Sequence, residues 1–319
     1  MNLRQLLYFS TVMEFGTLSQ AAESLRVAAS ALSHHISNLE VELGVTLFDR
    51  KPRGMAPTAA GHLLYKHAKQ ILRSVDAAES DIREASRQIA GTVSVGMAYS
   101  PVKAIGVELA EQVLKQYPNI ELSLTESLSG ATLVTLMTSE VDLALVYNPP
   151  DDPALKTEAI LEERMVCVGN RDILGDTKEK IEFSELLELP IISLGHGITT
   201  RAILDDTNLL KKIESRARLQ LNSVQAIAGS LEKGLGCVIG TKLFMQDQLI
   251  CGALEFRPIV NPELTRTLYL CELTTRPPTF ALEAVRKLIV ELVTDAVKNK
   301  TWEARLLQYS GNIGEPNLK

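Results

Sequence analysis

The sequence of 319 residues lacks any apolar run long enough to cross a membrane. Its longest stretch without a charged residue, Gln88–Val102, has 15 residues and includes several polar ones, whereas a spanning helix needs about 20 apolar residues. The apolar segment Leu6–Met13 has one upstream Arg and continues into a helical pattern, so we expect no signal peptide. We therefore predict a cytoplasmic location and no membrane partner.

Cysteine is scarce, and catalytic signatures are missing. The cysteines at 167, 237, 251 and 271 lie in apolar runs without Cys-x-x-Cys spacing. We interpret them as buried thiols of a reducing compartment, with a metal site or a redox switch as alternatives. Gly-x-Ser-x-Gly, His-Glu-x-x-His and P-loop patterns do not occur. The prediction is therefore no enzyme, no catalytic residue, no metal and no cofactor.

One glycine-rich segment, Gly234–Gly240, has two readings. It resembles a dinucleotide-binding fingerprint, but it has one residue too many before its last glycine and precedes a predicted strand. A dinucleotide site would instead open a helix. We therefore favour a tight turn from helix to strand.

Composition indicates an ordinary globular chain of more than one domain. Hydrophobic residues make up 45% and charged residues 23%, and the length exceeds that of a single small domain. The net charge of −6 is uneven: residues 1–90 hold 10 Lys and Arg against 9 Asp and Glu, whereas the remainder holds 23 against 30. An amino-terminal segment could therefore bind DNA through a local basic patch.

The first 57 residues predict a helix-turn-helix. The first helix is expected to bury one face, and Thr17–Gln20 has the pattern of a capping box that begins a second helix. Arg26–Ala28 would form the turn, and Gly44 would end a third helix. The predicted core faces of the first and third helices are Leu3, Leu6, Leu7, Ser10 and Met13, and Leu32, Ile36, Leu39 and Leu43.

The outer face of the third helix suits DNA. It carries Ser30, Ser33, His34 and Ser37, which are short and uncharged at neutral pH. Such side chains allow close approach to base edges, whereas an ordinary solvated face usually carries Lys and Glu. The solvated face is the alternative, and the helix-turn-helix context favours DNA binding.

A basic loop follows the third helix. Arg50, Lys51 and Arg53 lie beside Pro52 and Gly54, which predict a loop or hairpin. We expect these three cations to contact phosphates as a wing, the alternative being a solvated loop.

The segment from Thr58 to Ile89 predicts one long helix with a dimerisation seam. It has no Pro, and Gly61 is its only Gly. Its apolar residues repeat at alternating steps of four and three, which is a heptad pattern that a lone helix cannot bury. We expect a second copy of the chain to cover this seam, formed by Leu64, Ala68, Ile71, Val75, Ala78, Ile82, Ala85 and Ile89.

After Gly91 the pattern becomes that of an α/β protein. Strand-like and helical segments alternate, which predicts parallel sheets. Ser100 and Pro101 are expected to cap and begin the first helix, and 279–297 forms the last. The tail from Asn299 has weak structural signals.

Taken together, the amino-terminal motifs resemble the LysR-type transcriptional regulators. The match is dense over residues 1–61 and looser to about residue 297. Within the family, the start of the α/β region is most similar to the nitrogen-assimilation regulators. The residues that carry the resemblance include Leu3–Leu6, Phe9, Gly16–Ala22, Leu25, Ala31–Ser33, Ile36, Leu39-Glu40, Leu43-Gly44, Leu47–Arg50, Arg53-Gly54, Thr58 and Gly61.

The resemblance implies a three-part chain. Residues 1–58 would form an all-α winged helix-turn-helix domain and residues 59–90 a linker helix. Residues 91–300 would form an α/β effector domain of two lobes, built like a periplasmic solute-binding protein. The first lobe would comprise about 91–163 and 265–300, the second about 164–264, and 301–319 would be a tail.

The resemblance also implies the partners. These are double-stranded DNA, a second copy of the chain in a homodimer or homotetramer, a small metabolite in the interlobe cleft and, for an activator, RNA polymerase. Hydroxyls and a cation favour an anionic effector. A solute-binding protein without DNA is the alternative. The candidate effector residues are Ser100, Pro101, Ser129, His196, Thr199, Thr200 and Arg201.

The chain departs from the family at its recognition helix. Ala28-Ala29 stands where Ser-Gln is common, and His34 and His35 stand where Arg or Gln are frequent. Because Ala29 cannot make the hydrogen bond of a Gln, the operator preference is expected to differ.

Overall fold

The computed structural model describes residues 1–51, 54–84, 89–127, 129–176, 179–193, 207–276 and 278–307. The chain divides into two compact units, one formed mainly by residues 1–91 and the other mainly by the rest. Within the described residues, no helix has both the length and the apolar run needed to cross a bilayer.

The first unit is a helix-turn-helix followed by a hairpin and a long helix. Its elements are α1 (Leu3–Phe15), α2 (Leu18–Leu25), α3 (Ala29–Leu43), β1 (Phe48–Lys51), β2 (Gly54–Pro57) and α4 (Ala59–Glu84). Thr17 begins α2 as predicted, since its side chain accepts a hydrogen bond from the backbone N–H of Gln20. The full reciprocal capping box occurs at Asn2 and Gln5, at the start of α1.

The core face of α1 differs from the predicted one. Leu3 and Leu7 are 45% and 44% exposed, whereas Phe9 and Val12 are fully buried. Leu43 of α3 is also exposed, at 38%. The helical period is correct in both cases, but burial depends on where the neighbouring helices lie. The side chains of this core are Leu6, Phe9, Val12, Ala21, Ala22, Leu32, Ile36, Leu39, Leu47, Phe48 and Ala68.

The long helix is shorter than predicted. It ends at Glu84, residues 85–88 lie outside the described residues, and Ile89 is outside any helix. The next strand begins at Ala90. The prediction that Ile89 extends the helical seam is therefore wrong, because the chain enters the sheet there.

The second unit contains two lobes. The elements from 90 to 164 are β3 (Ala90–Ala98), α5 (Tyr99–Pro101), a π-helical segment (Val102–Gly106), α6 (Val107–Gln116), β4 (Asn119–Ser127), α7 (Ser129–Met137), β5 (Leu143–Tyr147) and β6 (Leu155–Arg164). Those from 166 to 306 are β7 (Val166–Gly169), α8 (Arg171–Leu174), β8 (Ile181–Glu182), α9 (Phe183–Leu186), β9 (Ile191–Ser193), α10 (Thr207–Arg216), β10 (Ala217–Gln220), α11 (Val224–Glu232), β11 (Cys237–Gly240), a 3₁₀ turn (Leu243–Met245), α12 (Gln246–Ile250), β12 (Glu255–Val260), β13 (Thr265–Leu273), α13 (Phe280–Lys298) and β14 (Arg305–Leu306).

Each lobe has one sheet, and both sheets are mixed. The first has the strand order β14-β6-β13-β5-β3-β4, and the second β10-β9-β11-β7-β12-β8. β3 and β5 are parallel, but β13 is antiparallel to both β5 and β6. The prediction of parallel sheets is thus only partly right, because β13 re-enters the first sheet from the second lobe. Neither β6 nor β12 was predicted: β6 leads from the first lobe into the second, and β12 precedes the return of the chain to the first lobe.

The glycine-rich segment is a tight turn, as favoured. Gly234 has a φ of 67°, and a Cβ on Gly236 would lie 2.2 Å from the carbonyl oxygen of Pro190. Both positions therefore require glycine, and β11 follows directly.

The tail is partly structured, contrary to its weak sequence signal. Trp302 is only 1% exposed. β14 pairs antiparallel with β6 at the edge of the first sheet.

Three of the four cysteines are buried, and Cys251 is exposed, contrary to prediction. Contact with Cys237 and burial raise the pKa of Cys167 well above its ordinary value. Burial and the neighbouring Glu272 raise the pKa of Cys271 to about 12. These buried groups are thiols of low reactivity. Among the described residues, no group of three or more Cys, His, Asp and Glu could hold a metal.

Candidate functional site

The third helix, α3, presents its predicted polar face outward. Leu32, Ile36 and Leu39 are buried beneath it. Ser30 and His34 are exposed, whereas Ser33 and Ser37 are half-buried. Ser30 and His34 are therefore the more accessible of the four predicted residues.

Asn38 belongs to the same exposed face and was not predicted. Its side-chain Nδ2 lies 3.1 Å from His34 Nε2, a hydrogen bond in which the amide is the donor. Ser30, His34 and Asn38 follow one another at steps of four, which places them on one side of the helix. We call these three residues the exposed stripe. The signal that could have found Asn38 is this spacing.

His35 has a different environment from His34. It is half-buried, and its ring lies edge-on to Tyr8 with 5.0 Å between centroids. The adjacent histidines therefore differ in role, with His35 packing α3 against α1.

The wing is a hairpin that α1 and α3 hold in place. The carboxylate of Glu40 accepts hydrogen bonds from the backbone N–H groups of Leu47 and Phe48 at 2.8 and 3.2 Å. The N–H of Met55 donates to the carbonyl of Gly16 at 2.8 Å. A Cβ on Gly54 would lie 2.6 Å from that carbonyl, which explains the glycine.

The basic wing residues are only partly described. Lys51 is exposed at the end of β1 and pairs with Gly54 in the hairpin register. Arg53 and the side chain of Arg50 lie outside the described residues. The geometry therefore places one predicted cation on the surface of the wing.

The first turns of α4 pack within their own unit. Ala68 is fully buried and Leu64 packs against the same core. Glu14 of α1 accepts from Lys69 Nζ at 2.7 Å and from the Tyr65 hydroxyl at 3.1 Å. Burial and the charge of Glu14 raise the pKa of Tyr65 above its ordinary value. The predicted seam residues Leu64 and Ala68 thus have partners in their own chain.

The next seam residues are more accessible. Ile71 is 37% exposed, Val75 is half-buried and Ala78 is exposed. The side chain of Ile82 and residue Ala85 lie outside the described residues. The described part of the seam open to a second copy is therefore Ile71, Val75 and Ala78.

A cavity of about 610 Å³ lies between the two lobes of the second unit. The first lobe contributes residues from the ends of β3 and β4, and the second lobe contributes the start of α11 and the segment after β11. The lining residues are Tyr99, Glu126, Ser127, Asn222, Ser223, Val224, Gln225, Ala228, Phe244, Asp247 and Gln248.

Ser100 does not cap a helix, contrary to prediction. The helix begins at Tyr99, two residues before the predicted start at Pro101, and Ala98 precedes it. Ser100 is 3% exposed, and its Oγ accepts a hydrogen bond from Arg266 Nη2 at 3.1 Å. Neither Ser100 nor the buried Pro101 lines the cavity, whereas Tyr99 does. The Ser-Pro pattern missed the true start because the strand ends at Ala98.

The other predicted effector residues are less well described. Ser129 begins α7, two residues after the cavity residue Ser127, and its side chain is not described. His196, Thr199, Thr200 and Arg201 all lie outside the described residues. The described residues that line the cavity are therefore ones that the sequence analysis did not identify.

The described cavity wall carries charged groups. Glu126 and Asp247 contribute carboxylates, and Lys103 Nζ lies 2.7 Å from Asp247. The wall also contains the start of α11, where Ser223 accepts from the N–H of Ala226 at 3.3 Å. The helix dipole makes that end electropositive. Groups of both signs therefore meet in the cavity.

Comparison with known families covers nearly the whole chain. Residues 86–294 match the LysR substrate binding domain. Residues 3–62 match the bacterial regulatory helix-turn-helix protein of the lysR family.

Curated relatives match over most of their length. The nitrogen assimilation regulatory protein nac of Escherichia coli (strain K12) is 27% identical over 304 residues, which is 94% of this chain and 98% of the relative. A probable RuBisCO transcriptional regulator of Trichormus variabilis is 27% identical, covering 84% of this chain and 81% of the relative.

Solved structures show the same fold. A full-length OxyR variant from Pseudomonas aeruginosa superposes with a TM-score of 0.69 at 21% identity, over 92% of this chain and 94% of that one. Full-length CbnR in complex with its target DNA gives a TM-score of 0.61 at 20% identity, over 93% of this chain and all of that one.

Proposed function

Because the chain belongs to the LysR family of bacterial transcriptional regulators, with a DNA-binding helix-turn-helix and an effector-binding domain, we propose that it binds an operator as a homo-oligomer and that a small effector between its lobes changes this binding. The observation that carries the DNA half is the exposed stripe on α3. Short polar side chains there can reach base edges in the major groove. The wing beside it adds phosphate contacts through Lys51 and, by sequence, Arg50 and Arg53.

DNA binding is tested by gel shift with genomic fragments at several salt concentrations. We expect some fragments to bind in preference to others and the logarithm of affinity to fall linearly with the logarithm of salt. Replacing Ser30 and His34 by Ala should remove the preference. His67→Ala, which alters an exposed histidine of α4, should bind like the wild type. Equal binding of all fragments by the wild type would contradict the proposal.

The effector site is proposed to be the interlobe cavity. The sequence favoured an anion because of the hydroxyl of Ser100 and the cation of Arg201, and Ser100 does not line the cavity. The described wall adds Glu126, which favours a donor or cationic group, beside the electropositive start of α11; Asp247 is already paired with Lys103. We therefore propose a small polar metabolite with both an anionic group and a hydrogen-bond donor.

A thermal-shift screen of metabolites tests this site. A ligand that binds only the folded chain stabilises it by about 2.7 kcal/mol at 100 times its Kd. Glu126→Gln and Gln225→Ala should weaken the shift, whereas Gln116→Ala, on an exposed part of α6, should not. A hit whose shift is unchanged by both cavity variants would place the effector elsewhere.

The oligomer is proposed to form through the open part of the α4 seam. Ile71, Val75 and Ala78 follow the heptad steps on the exposed side of the helix. A two-fold dimer would present two copies of α3 to two half-sites. A regulator acts where the chromosome is, so we expect it in the cytoplasm, with RNA polymerase as a further partner if it activates. We expect no catalytic activity.

A further inference from the structure

A buried ion pair lies where the chain crosses between the lobes. Glu163 is near the end of β6 and is 1% exposed, and Arg266 is near the start of β13. Arg266 Nε donates to Glu163 Oε2 at 2.9 Å, and the guanidinium carbon lies 3.6 Å from the centre of the Tyr147 ring. Burial alone would lower the pKa of Arg266, but Tyr147 and Glu163 outweigh it and raise that pKa. The guanidinium therefore stays charged.

The tail holds the other side of this ion pair. The indole Nε1 of Trp302 donates to Glu163 Oε1 at 2.6 Å, so both carboxylate oxygens have a donor. The next tail residue, Glu303, accepts from Lys242 Nζ of the second lobe at 2.8 Å. Arg305 donates to Glu162 of β6 at 3.0 Å. The tail thus contacts both lobes at their junction.

The far side of the ion pair reaches the segments that line the cavity. Arg266 Nη2 donates to Ser100 Oγ at 3.1 Å and to Thr241 Oγ1 at 3.4 Å. Ser100 follows Tyr99 in the chain. The carbonyl of Thr241 accepts from the N–H of Phe244 at 3.1 Å. One guanidinium therefore joins a segment of each lobe.

Tyr99 and Phe244 meet across the cavity that these segments line. Their rings pack edge to face with centroids 5.6 Å apart, and both are cavity residues. Arg266 is hydrogen-bonded to Ser100, which follows Tyr99 on one lobe. It is also hydrogen-bonded to Thr241, in the turn before Phe244 on the other lobe. Arg266, Glu163 and Trp302 do not themselves line the cavity.

We propose that Trp302, Glu163 and Arg266 form a brace through which the carboxy-terminal tail positions the two walls of the effector cavity. The three are positioning residues, and the inference rests on the proposed effector site. A buried ion pair adds little net stability, but it tolerates only a narrow geometry, since an unpaired buried charge is costly. The brace therefore sets the separation of Tyr99 and Phe244, and loosening the tail loosens the cavity.

The only tryptophan of the chain is Trp302, so its fluorescence reports the tail end of the brace. The first experiment changes the cavity end and measures acrylamide quenching of Trp302 without ligand. A hydrogen bond to a charged group is worth roughly a tenfold change in an opening equilibrium. We expect Ser100→Ala, and to a lesser extent Thr241→Val, to increase quenching several-fold. Thr267→Val, a matched change beside Arg266 on β13, should leave it unchanged. Equal quenching in all three variants would overturn the proposal.

The second experiment changes the tail end and measures hydrogen exchange at the cavity. Trp302→Phe keeps a ring but removes the donor to Glu163. We expect roughly tenfold faster exchange in the segments 102–106 and 243–246. Faster exchange confined to β6 and β14 would show that the effect stops at Glu163, and would overturn the brace. If Trp302→Phe does not fold, Lys242→Ala breaks the Glu303 contact at the surface and is measured in the same way.

Both experiments use the full chain without effector. They therefore succeed or fail independently of the metabolite screen. If the variants change quenching and exchange but no metabolite gives a thermal shift, the brace stands and the effector site is refuted. If a metabolite gives a shift but the variants change neither quenching nor exchange, only the brace is refuted.

Discussion

At the scale of single residues, the hydrogen bond between Asn38 and His34 fixes what the recognition helix offers to DNA. One amide hydrogen of Asn38 is used by His34 Nε2. The amide oxygen and the second hydrogen remain, and these are the groups with which Asn contacts adenine N6 and N7. His34 thereby orients Asn38 before DNA is bound.

We predict that Asn38→Ala loses discrimination at one A·T pair of each half-site. A bidentate contact is worth about 1–3 kcal/mol of discrimination, or roughly 5- to 150-fold. Competition binding with single-base operator variants measures this, and the salt dependence should not change. Lys51→Ala is the control for a phosphate contact and should lower the salt slope by about one for every sequence. A uniform loss of affinity in Asn38→Ala would refute base reading.

The four thiols differ in environment, and this predicts their reactivity. At pH 8, Ellman's reagent should label one thiol per folded chain, Cys251, since the other three are buried. Cys251→Ser should abolish the fast phase, and denaturant should release three more thiols. Rapid labelling of a second thiol in the folded chain would contradict the burial.

The same burial predicts a loss of stability in alkali. Cys271 has its pKa raised from 9.0 to about 12. Its contribution is fully present below pH 9, because the thiol is then protonated in both states. As pH rises from 9 towards 12, the unfolded thiol ionises and the folded one does not, so stability is lost. Urea unfolding of the wild type and Cys271→Ala across this range should show a shallower decline in the variant. If the free energy of unfolding fell equally with pH in the wild type and in Cys271→Ala, the prediction for Cys271 would be refuted.

At the scale of elements, the environment of α4 changes along its length. Its first turns are fixed to α1 through Ala68 and the Lys69–Glu14 ion pair at 2.7 Å. Its later turns expose Ile71 and Ala78. In the dimer we propose, this one helix would join the helix-turn-helix directly to the dimer contact.

We predict that Ile71→Asp with Val75→Asp separates the dimer. Carboxylates in a buried seam have no partner, and each costs several kcal/mol there. Light scattering over a range of concentrations should show monomers. His62→Asp is the control, because nine residues of helix place it about half a turn from Ile71. A dimer of undiminished stability in the double variant would exclude the seam as the main contact.

At the scale of the whole molecule, two units have separate cores and unequal charge. The core of the first unit draws on α1 to α4. The buried apolar residues of the second unit run from Val93 to Trp302. The first 90 residues have about balanced charge, whereas the remainder has an excess of seven acidic residues, with 30 Asp and Glu against 23 Lys and Arg. We expect this excess of negative charge to disfavour contact of the effector domain with DNA.

We predict that residues 90–319 fold without the helix-turn-helix. Each core of this unit is formed by its own residues, so the fragment should unfold cooperatively. Trp302 is its only tryptophan, and its emission maximum should match that of the full chain. A red-shifted emission or a gradual transition would show that the second unit depends on the first.

The sequence by itself determined the features that depend on residues close together in the chain, namely helix boundaries, helical periodicity and the alternation of strands and helices. Thr17, Gly44 and the period of α3 specify the helix-turn-helix, because capping and periodicity act over a few residues. The α/β alternation of the second unit followed from the same signals, and the pattern of the first 61 residues was enough to indicate the family.

Tertiary structure alone decided what depends on distant partners. The packing of neighbouring helices determines which face of α1 is buried. Several strands that the alternation predicted to be parallel are antiparallel. Ser100 contacts Arg266, which is 166 residues away in the chain. Tertiary structure also buries Trp302, which lies in a tail without a strong pattern. The sequence around Glu163 does not indicate whether this carboxylate is solvated or buried. Only tertiary packing brings the two donors, Arg266 and Trp302, that compensate for its loss of hydration.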